Sequence, residues 1–365
     1  MPLLLSAPSA PAQKRNNHHS VLPLAARFFT GGTMKIRKPA YFDDFRCLAG
    51  ACPDSCCKEW DVLVDEESAA RYLSLDGALG DALRKVMYEE DGQYYFAIQA
   101  DRRCPMWRND GLCRIQAEAG EGALCNVCRD FPRLTHDFGD FMERGLELSC
   151  PEAARIILSA PTAPWVTEET PGGEAEYDVE AMTALLKIRD EALAILEDRR
   201  YTPAQALALL LIHGYRSQEV LDGGDEEPFD PAAALELAAE LACQNDGADI
   251  IDFFLGLEIL TPAWKQRLEN GWRAVEISEL CLPLARYFVE RYYLQAVSDY
   301  DLVGRVKLAV ISCLLITSLG GDFVETAQLY SKEIENDADN VEAILDGAYS
   351  SPALTDAKLL GLLLK

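Results

Sequence analysis

Cys47-Leu-Ala-Gly-Ala-Cys52-Pro-Asp-Ser-Cys56-Cys57 opens a stretch that runs to Cys150 and holds nine of the chain's twelve cysteines. The others in it are Cys104, Cys113, Cys125, Cys128 and Cys150 itself, while Cys243, Cys281 and Cys313 are scattered through the remainder of the 365 residues. Such local density marks either a disulfide framework or a metal site. At 49% apolar content a chain of this length can bury a core without covalent staples. The apolar run Leu3–Leu5 is short, lacks a preceding basic region and is bracketed by Pro2 and Pro8, so it does not read as a secretory signal. The expectation is a cytoplasmic, reducing compartment in which the cysteines are thiols or metal ligands.

Thiolates are soft donors that select zinc, copper(I) or iron–sulfur clusters. Cys52-x3-Cys56 and Cys125-x2-Cys128 each place two sulfurs on one loop, and the turn Asn109-Asp-Gly111 brings Cys104 toward Cys113. Adjacent Cys56 and Cys57 project in different directions, so both seldom reach the same atom. Ser149 and Glu152 read as a capping box around Cys150, with Pro151 in the first helical turn. A thiol at a helix N-terminus is favoured as thiolate, the form that binds metal. The expected ligands are therefore Cys47, Cys52, Cys56, Cys57, Cys104, Cys113, Cys128 and Cys150, with Cys125 in reserve. Nine thiols exceed the four that one tetrahedral ion needs, which favours an iron–sulfur cluster over zinc. His136 could complete a Cys3His zinc site, although a lone loop histidine is ordinarily a surface residue. A purely structural metal, stapling a segment poor in apolar residues, stands beside the functional reading.

The rest of the chain reads as mainly α. Residues 1–33 are rich in Pro, Ser and Ala and are expected to be a disordered extension, with Met34 opening the patterned sequence. Residues 34–160 form the cysteine-rich domain with little strand, apart from a short one after Cys57; 66–88 and 114–122 read as helical, the latter stopping at Gly120 or Gly122. Residues 161–176 mix Pro, Gly and acids as a linker, and 177–365 read as an all-α domain. Thr202-Pro203 is an N-cap and first-turn proline, and Asp222–Asp230 an acidic loop. Cys243, Cys281 and Cys313 sit in apolar patterns as small hydrophobes. Tyr287, Phe288, Tyr292 and Tyr293 read as core, with a cation–π pocket as the sharper alternative. No run of about 18 uninterrupted apolar residues occurs, so no membrane span is expected. The formal charge of −26, of which −22 falls in residues 161–365, argues against nucleic acid and makes a basic, lysine-bearing partner electrostatically plausible. A solvated acidic surface is the plainer account of it.

Several blocks carry a resemblance. Cys47…Cys52…Cys56-Cys57, Cys104-Pro105, Cys113-x-Ile115 and Cys128-Arg129-x-Phe131-Pro132 resemble the YkgJ-type cysteine-cluster domain. Pro39-x-Tyr41, Cys56-Cys57-x2-Trp60, Leu124–Arg133, Leu148-Ser-Cys-Pro-Glu-Ala-Ala-Arg155 and Tyr330-Ser-Lys-Glu-Ile-Glu335 are similar to the flagellin lysine-N-methylase family. That resemblance implies a [4Fe–4S] cluster and transfer of methyl groups from S-adenosylmethionine to lysines of flagellin. It also draws attention to Glu333, Glu335 and Asp337 as a place for a substrate lysine; by composition alone they read as an exposed helix terminus. Two marks are missing: after Cys52-x3-Cys56 the third position of a Cys-x3-Cys-x2-Cys motif is Glu59, and no G-x-G-x-x-G loop is present. The competing function is a zinc- or iron-binding adaptor that docks basic proteins, and a weaker one is an electron carrier.

Overall fold

The structure, a computed structural model, describes residues 13–14, 32–160, 162–274 and 276–364. Most of the expected extension therefore lies outside the described residues. The chain forms two compact units, one containing Cys47–Phe131 and the other containing Pro132–Lys365 together with the segment ending at Arg46.

In the cysteine-rich unit, the apolar alternation Trp60, Val62, Val64 makes strand β3 (Trp60–Val64), with all three side chains buried. Strands β4 (Met87–Glu90) and β5 (Gln93–Phe96) form a hairpin through Asp91-Gly92, both at positive φ, as a two-residue turn requires. β5 pairs antiparallel with β3, and β1 (Gln13–Lys14) lies along β3 to give the order β1-β3-β5-β4. Between β3 and β4 run α1 (Glu66–Ser74) and α2 (Gly77–Val86). The Asp65 carboxylate caps α1 by accepting from Ser68 N at 3.0 Å, and its second oxygen accepts from Asn126 N at 2.8 Å. The short helices α3 (Arg114–Ala119) and α4 (Asn126–Asp130) complete the unit. The expected helix 66–88 is thus two helices and the start of a strand, whereas the helix from Arg114 stops at Gly120, one of the two glycines expected to end it, which turns the chain at φ +85°.

The described residues from 177 onward form helices and no strand, as the all-α reading expects, but the N-terminal part of the second unit holds more strand than the little expected for 34–160. It contains a four-stranded sheet of order β6-β7-β2-β8, made of β2 (Gly32–Pro39), β6 (Arg133–Asp137), β7 (Phe141–Leu146) and β8 (Trp165–Gly172). β2 runs parallel to β7 and pairs antiparallel with β8 from Gly32↔Gly172 to Pro39↔Trp165. The stretch that reads as a linker therefore holds an edge strand. Its signal is hidden because β8 is largely exposed and carries Thr and Glu where a half-buried strand would show alternating apolar residues. Glu168 instead pairs with Lys38 of β2 at 2.7 Å. Likewise Gly32 and Thr33 belong to β2, two residues before the expected start at Met34.

Helices supply the rest: α5 (Pro151–Ser159), α6 (Val179–Glu197), α7 (Pro203–Leu221), α8 (Pro231–Leu241), α9 (Ala248–Leu255), α10 (Pro262–Glu269), α11 (Cys281–Tyr292), α12 (Leu302–Leu319), α13 (Phe323–Tyr330), α14 (Ala338–Ser350) and α15 (Asp356–Leu364). The capping box at Thr202 forms with Gln205 as its partner. α12 is apolar and long enough to span a membrane, yet all of it is buried; packed on its own unit it is the central core helix. Gly214 of α7 allows that packing, since a Cβ there would come within 2.7 Å of Val306. α13 runs directly into a wide π-type turn over Ser331–Glu335.

One ion pair is fully enclosed. Arg189 of α6, wholly buried, donates twice to Glu143 of β7 at 2.6 and 2.8 Å, and Arg37 of β2 approaches the same carboxylate at 3.2 Å. Both arginines lie over the Trp165 ring at 5.2 Å. Removing Arg189 leaves the buried Glu143 with the partly exposed Arg37 as its one remaining cation, so Arg189→Met should lower the unfolding free energy by about 3 kcal/mol. Glu143→Leu combined with Arg189→Met should recover at least half of that loss in a urea titration; equal losses from the single and double variants would show that the pair is not what is being broken.

Candidate functional site

The cysteine-rich unit assembles its thiols by backbone turns. Cys104 N donates to Cys57 O at 2.8 Å, joining two loops that lie far apart in sequence. Gly111 N donates to Arg108 O at 3.0 Å in a turn whose Gly111 sits at φ +80°, and Trp107 bridges to Cys113. The turn read at Asn109–Gly111 thus brings Cys104 and Cys113 together as expected. Cys113 and Cys125 are the N-cap residues of α3 and α4, and Cys128 is the third residue of α4. Cys104 and Cys125 are buried among Trp60, Tyr72, Phe96, Met106 and Ile115, with Cys57, Cys113 and Cys128 packed against them.

These sulfurs sense one another. Burial pushes the Cys104 thiol up to about 12, and Cys113, Cys125 and Cys56 add to the shift. Cys113 is raised by burial, with Cys56 and Cys125 contributing. Cys128 hydrogen-bonds to Cys125, which lowers Cys125 and raises Cys128 well above an ordinary thiol. The group brought together is therefore Cys56, Cys57, Cys104, Cys113, Cys125 and Cys128. Cys125, kept in reserve by sequence, is its most buried member; the Cys125-x2-Cys128 spacing was the signal that should have promoted it. Cys52, raised by burial and then by Cys56 and Cys47, and the exposed Cys47 sit on a loop beside Cys56. Among the described residues, no three His, Cys, Asp or Glu side chains converge to hold a single ion.

Cys150 belongs to the other unit. It is the N-cap of α5 as a residue, but the expected capping box is absent. With Pro151 as the first helical residue the cap falls on Cys150, not Ser149; Ser149 Oγ donates to Glu147 at 2.7 Å, and Glu152 pairs with Arg155. His136 lies in β6 and not in a loop.

The reading of Glu333, Glu335 and Asp337 as an exposed terminus is overturned, because all three are buried. Glu333 accepts from Leu260 N at 2.7 Å and from the Thr261 hydroxyl, fixing the approach to α10. Glu335 accepts from Tyr287 Oη at 3.0 Å and Tyr292 Oη at 2.9 Å and faces Arg291 at 3.4 Å. Asp337 caps α14 through Asp339 N and Asn340 N. Tyr287, Phe288 and Tyr292 of α11 and the following Tyr293 are core, as the plainer reading held, with two of their hydroxyls committed to Glu335. Around α11 the remaining blocks of the resemblance meet. Tyr41 hydrogen-bonds to Arg286, which also donates to Ala160 O and Ile157 O at the end of α5, and Gln328 donates to Ser149 O at 2.8 Å. A small cleft here is lined by Tyr41, Glu143, Trp165, Tyr287, Glu290 and Arg291. Burial pushes the Glu290 carboxyl up to about 7.

One unit has a thiol-lined core, and the helical unit has a buried glutamate–tyrosine centre of its own. The chain is 31% identical over 134 residues to the flagellar biosynthetic protein FliU of Salmonella muenchen, an alignment covering 79% of that protein and 35% of this chain. It belongs to that family, as the cysteine blocks implied. It is also 32% identical over 141 residues to a lysine-N-methylase of Salmonella choleraesuis and 31% identical to one of Salmonella typhimurium. The match takes in 37% of this chain and 35% of each methylase, so the chain spans about a third of the length of those two relatives. No family model and no solved structure matches.

Glu333 gives a test of the buried acids. Burial raises its carboxyl from 4.5 to about 7, against the opposing effect of its Thr261 and Leu260 hydrogen bonds. A carboxyl raised on folding favours the native state below its unfolded value, and that contribution is lost as pH rises toward 7. Glu333→Gln should therefore flatten the decline of unfolding free energy between pH 4.5 and pH 7 by on the order of 2–3 kcal/mol. An unchanged slope in chemical denaturation across that range would refute the assignment.

Proposed function

We propose that this protein is a protein-lysine N-methylase acting on flagellin, with S-adenosylmethionine as methyl donor and a [4Fe–4S] cluster held by thiols of the cysteine-rich unit. The observation that carries the reading is the gathering of six thiols about Cys125 in a chain whose relatives are named lysine-N-methylases. Grouped thiols without a cation resist ionisation, because each thiolate raises the next; a thiophilic metal centre removes that penalty by neutralising them. The donor set is all sulfur, which suits iron–sulfur or zinc ahead of magnesium or calcium. Its number exceeds the four ligands that one tetrahedral zinc takes, which favours a multi-atom centre. Cys56, Cys57, Cys104, Cys113, Cys125 and Cys128 are the residues from which its ligands come. A bound cluster would supply redox or Lewis-acid chemistry; the protein's own task is to present the lysine as a neutral amine in a site that accepts its proton. The cytoplasm, where thiols stay reduced and flagellin is made, is the compartment this reading requires.

Anaerobic incubation with methyl-labelled S-adenosylmethionine and flagellin should place label on lysine. Cys104→Ser should abolish transfer, whereas Cys281→Ser, a buried thiol of the helical unit bonded to Thr317, should retain it. Full transfer by the Cys104 variant would separate activity from the thiol cluster, and no transfer by protein that holds bound metal would leave the adaptor as the surviving function.

A further inference from the structure

Outside the thiols and the α11 centre, the helical unit has a cavity of about 610 Å³ between α6, α7 and the acidic loop that follows α7. Its floor is apolar: Ala184, Ile188 and Ile195 from α6 and Val220 from α7 lie on the facing stripes of the two helices. Phe229 closes one side, edge-on to the His213 ring at 5.1 Å. His213 is 2% exposed. Its Nε2 meets Glu191 Oε2 at 3.1 Å, and Ser217 Oγ lies 3.4 Å from its Nδ1. The lining holds five acids, Glu191, Glu219, Asp225, Glu226 and Glu227, against the two cations Lys187 and Arg216. Lys187 of α6 already places its ammonium on Glu226, so the rim holds an alkylammonium of the chain's own.

We infer that this α6–α7 cavity binds the acceptor lysine, its aliphatic stem along the apolar floor and its ammonium on the Glu191 carboxylate at the acidic rim. This rests on the methylase reading and deepens it. A half-open cavity with an apolar floor and an acidic rim suits a side chain that is hydrocarbon along its length and charged at its tip. Burial lowers the affinity of His213 for a proton, with the Glu191 contact opposing, so the ring wall of the cavity does not compete with a cation for the acidic rim. Glu191 pairs with the ammonium and, through its contact with His213 Nε2, couples occupancy of the cavity to the imidazole.

The test separates the site from the reaction. Nα-acetyl-lysine methylamide is titrated into the full chain while the His213 ring signals are followed by NMR, with the norleucine analogue, which lacks the ammonium, as control. The lysine probe should shift those signals and the norleucine probe should not. Glu191→Gln, a change at a half-exposed position that leaves the core intact, should weaken lysine binding about five-fold. Glu240→Gln on the exposed side of α8 should leave it unchanged. Equal response to the two probes, or none to either, overturns the inference even if flagellin is methylated. A lysine-specific response that Glu191→Gln weakens, in protein that transfers no methyl group, sustains the site and overturns the methylase reading alone.

Discussion

Packing several thiols side by side in an apolar interior is the constraint on which the cysteine-rich unit depends. Its core positions around Trp60, Tyr72 and Phe96 are shared with Cys104 and Cys125, and three more cysteines border them. Sulfur is an adequate hydrophobe while protonated, but a cluster of thiols adds little beyond that. A metal centre would convert the same atoms into cross-links between loops distant in sequence, and its binding free energy would become folding free energy. The Cys57–Cys104 backbone bond, the turn at Gly111 and the Asp65 link to the start of α4 are the parts of the framework that fix where the sulfurs stand.

The helical unit meets a different requirement, since it buries formal charges and satisfies them in sets. Glu143 is shared by Arg189 and Arg37, and Glu335 by two tyrosines and Arg291. Lys307, also buried, donates to Ala348 O and faces Asp356. Each set ties elements from distant parts of the chain, so the net negative charge of this half is only partly a matter of surface solvation. Acids of the Tyr330–Asn340 segment that looked solvated by composition are interior supports for α10, α11 and α14.

Legibility followed the strength of the local signal. Helix starts with a capping residue and a first-turn proline, such as Thr202-Pro203, were readable because the cap chemistry is local. The cysteine turns were readable for the same reason. β8 was not, because an exposed edge strand rich in Glu and Thr lacks a period-2 apolar pattern. The grouping of β2, β6, β7 and α5 with the helical unit depends on pairings such as Lys35↔Phe141, which join residues over a hundred positions apart. Glu333 and Glu335 show the limit from the other side: their burial is decided by Thr261, Tyr287 and Tyr292, which no window around residue 334 contains. The central place of Cys125 and the pairing of His213 with Glu191 likewise appear only when the elements are assembled.

The central claim is that the six-thiol group is a multi-iron centre organised about Cys125. The most direct measurement is iron and acid-labile sulfide per chain in anaerobically purified protein, for the native sequence and for Cys125→Ser. The account predicts a brown protein in which iron and sulfide occur together and are lost in the variant. A colourless protein with stoichiometric zinc, or iron content indifferent to Cys125→Ser, would contradict it.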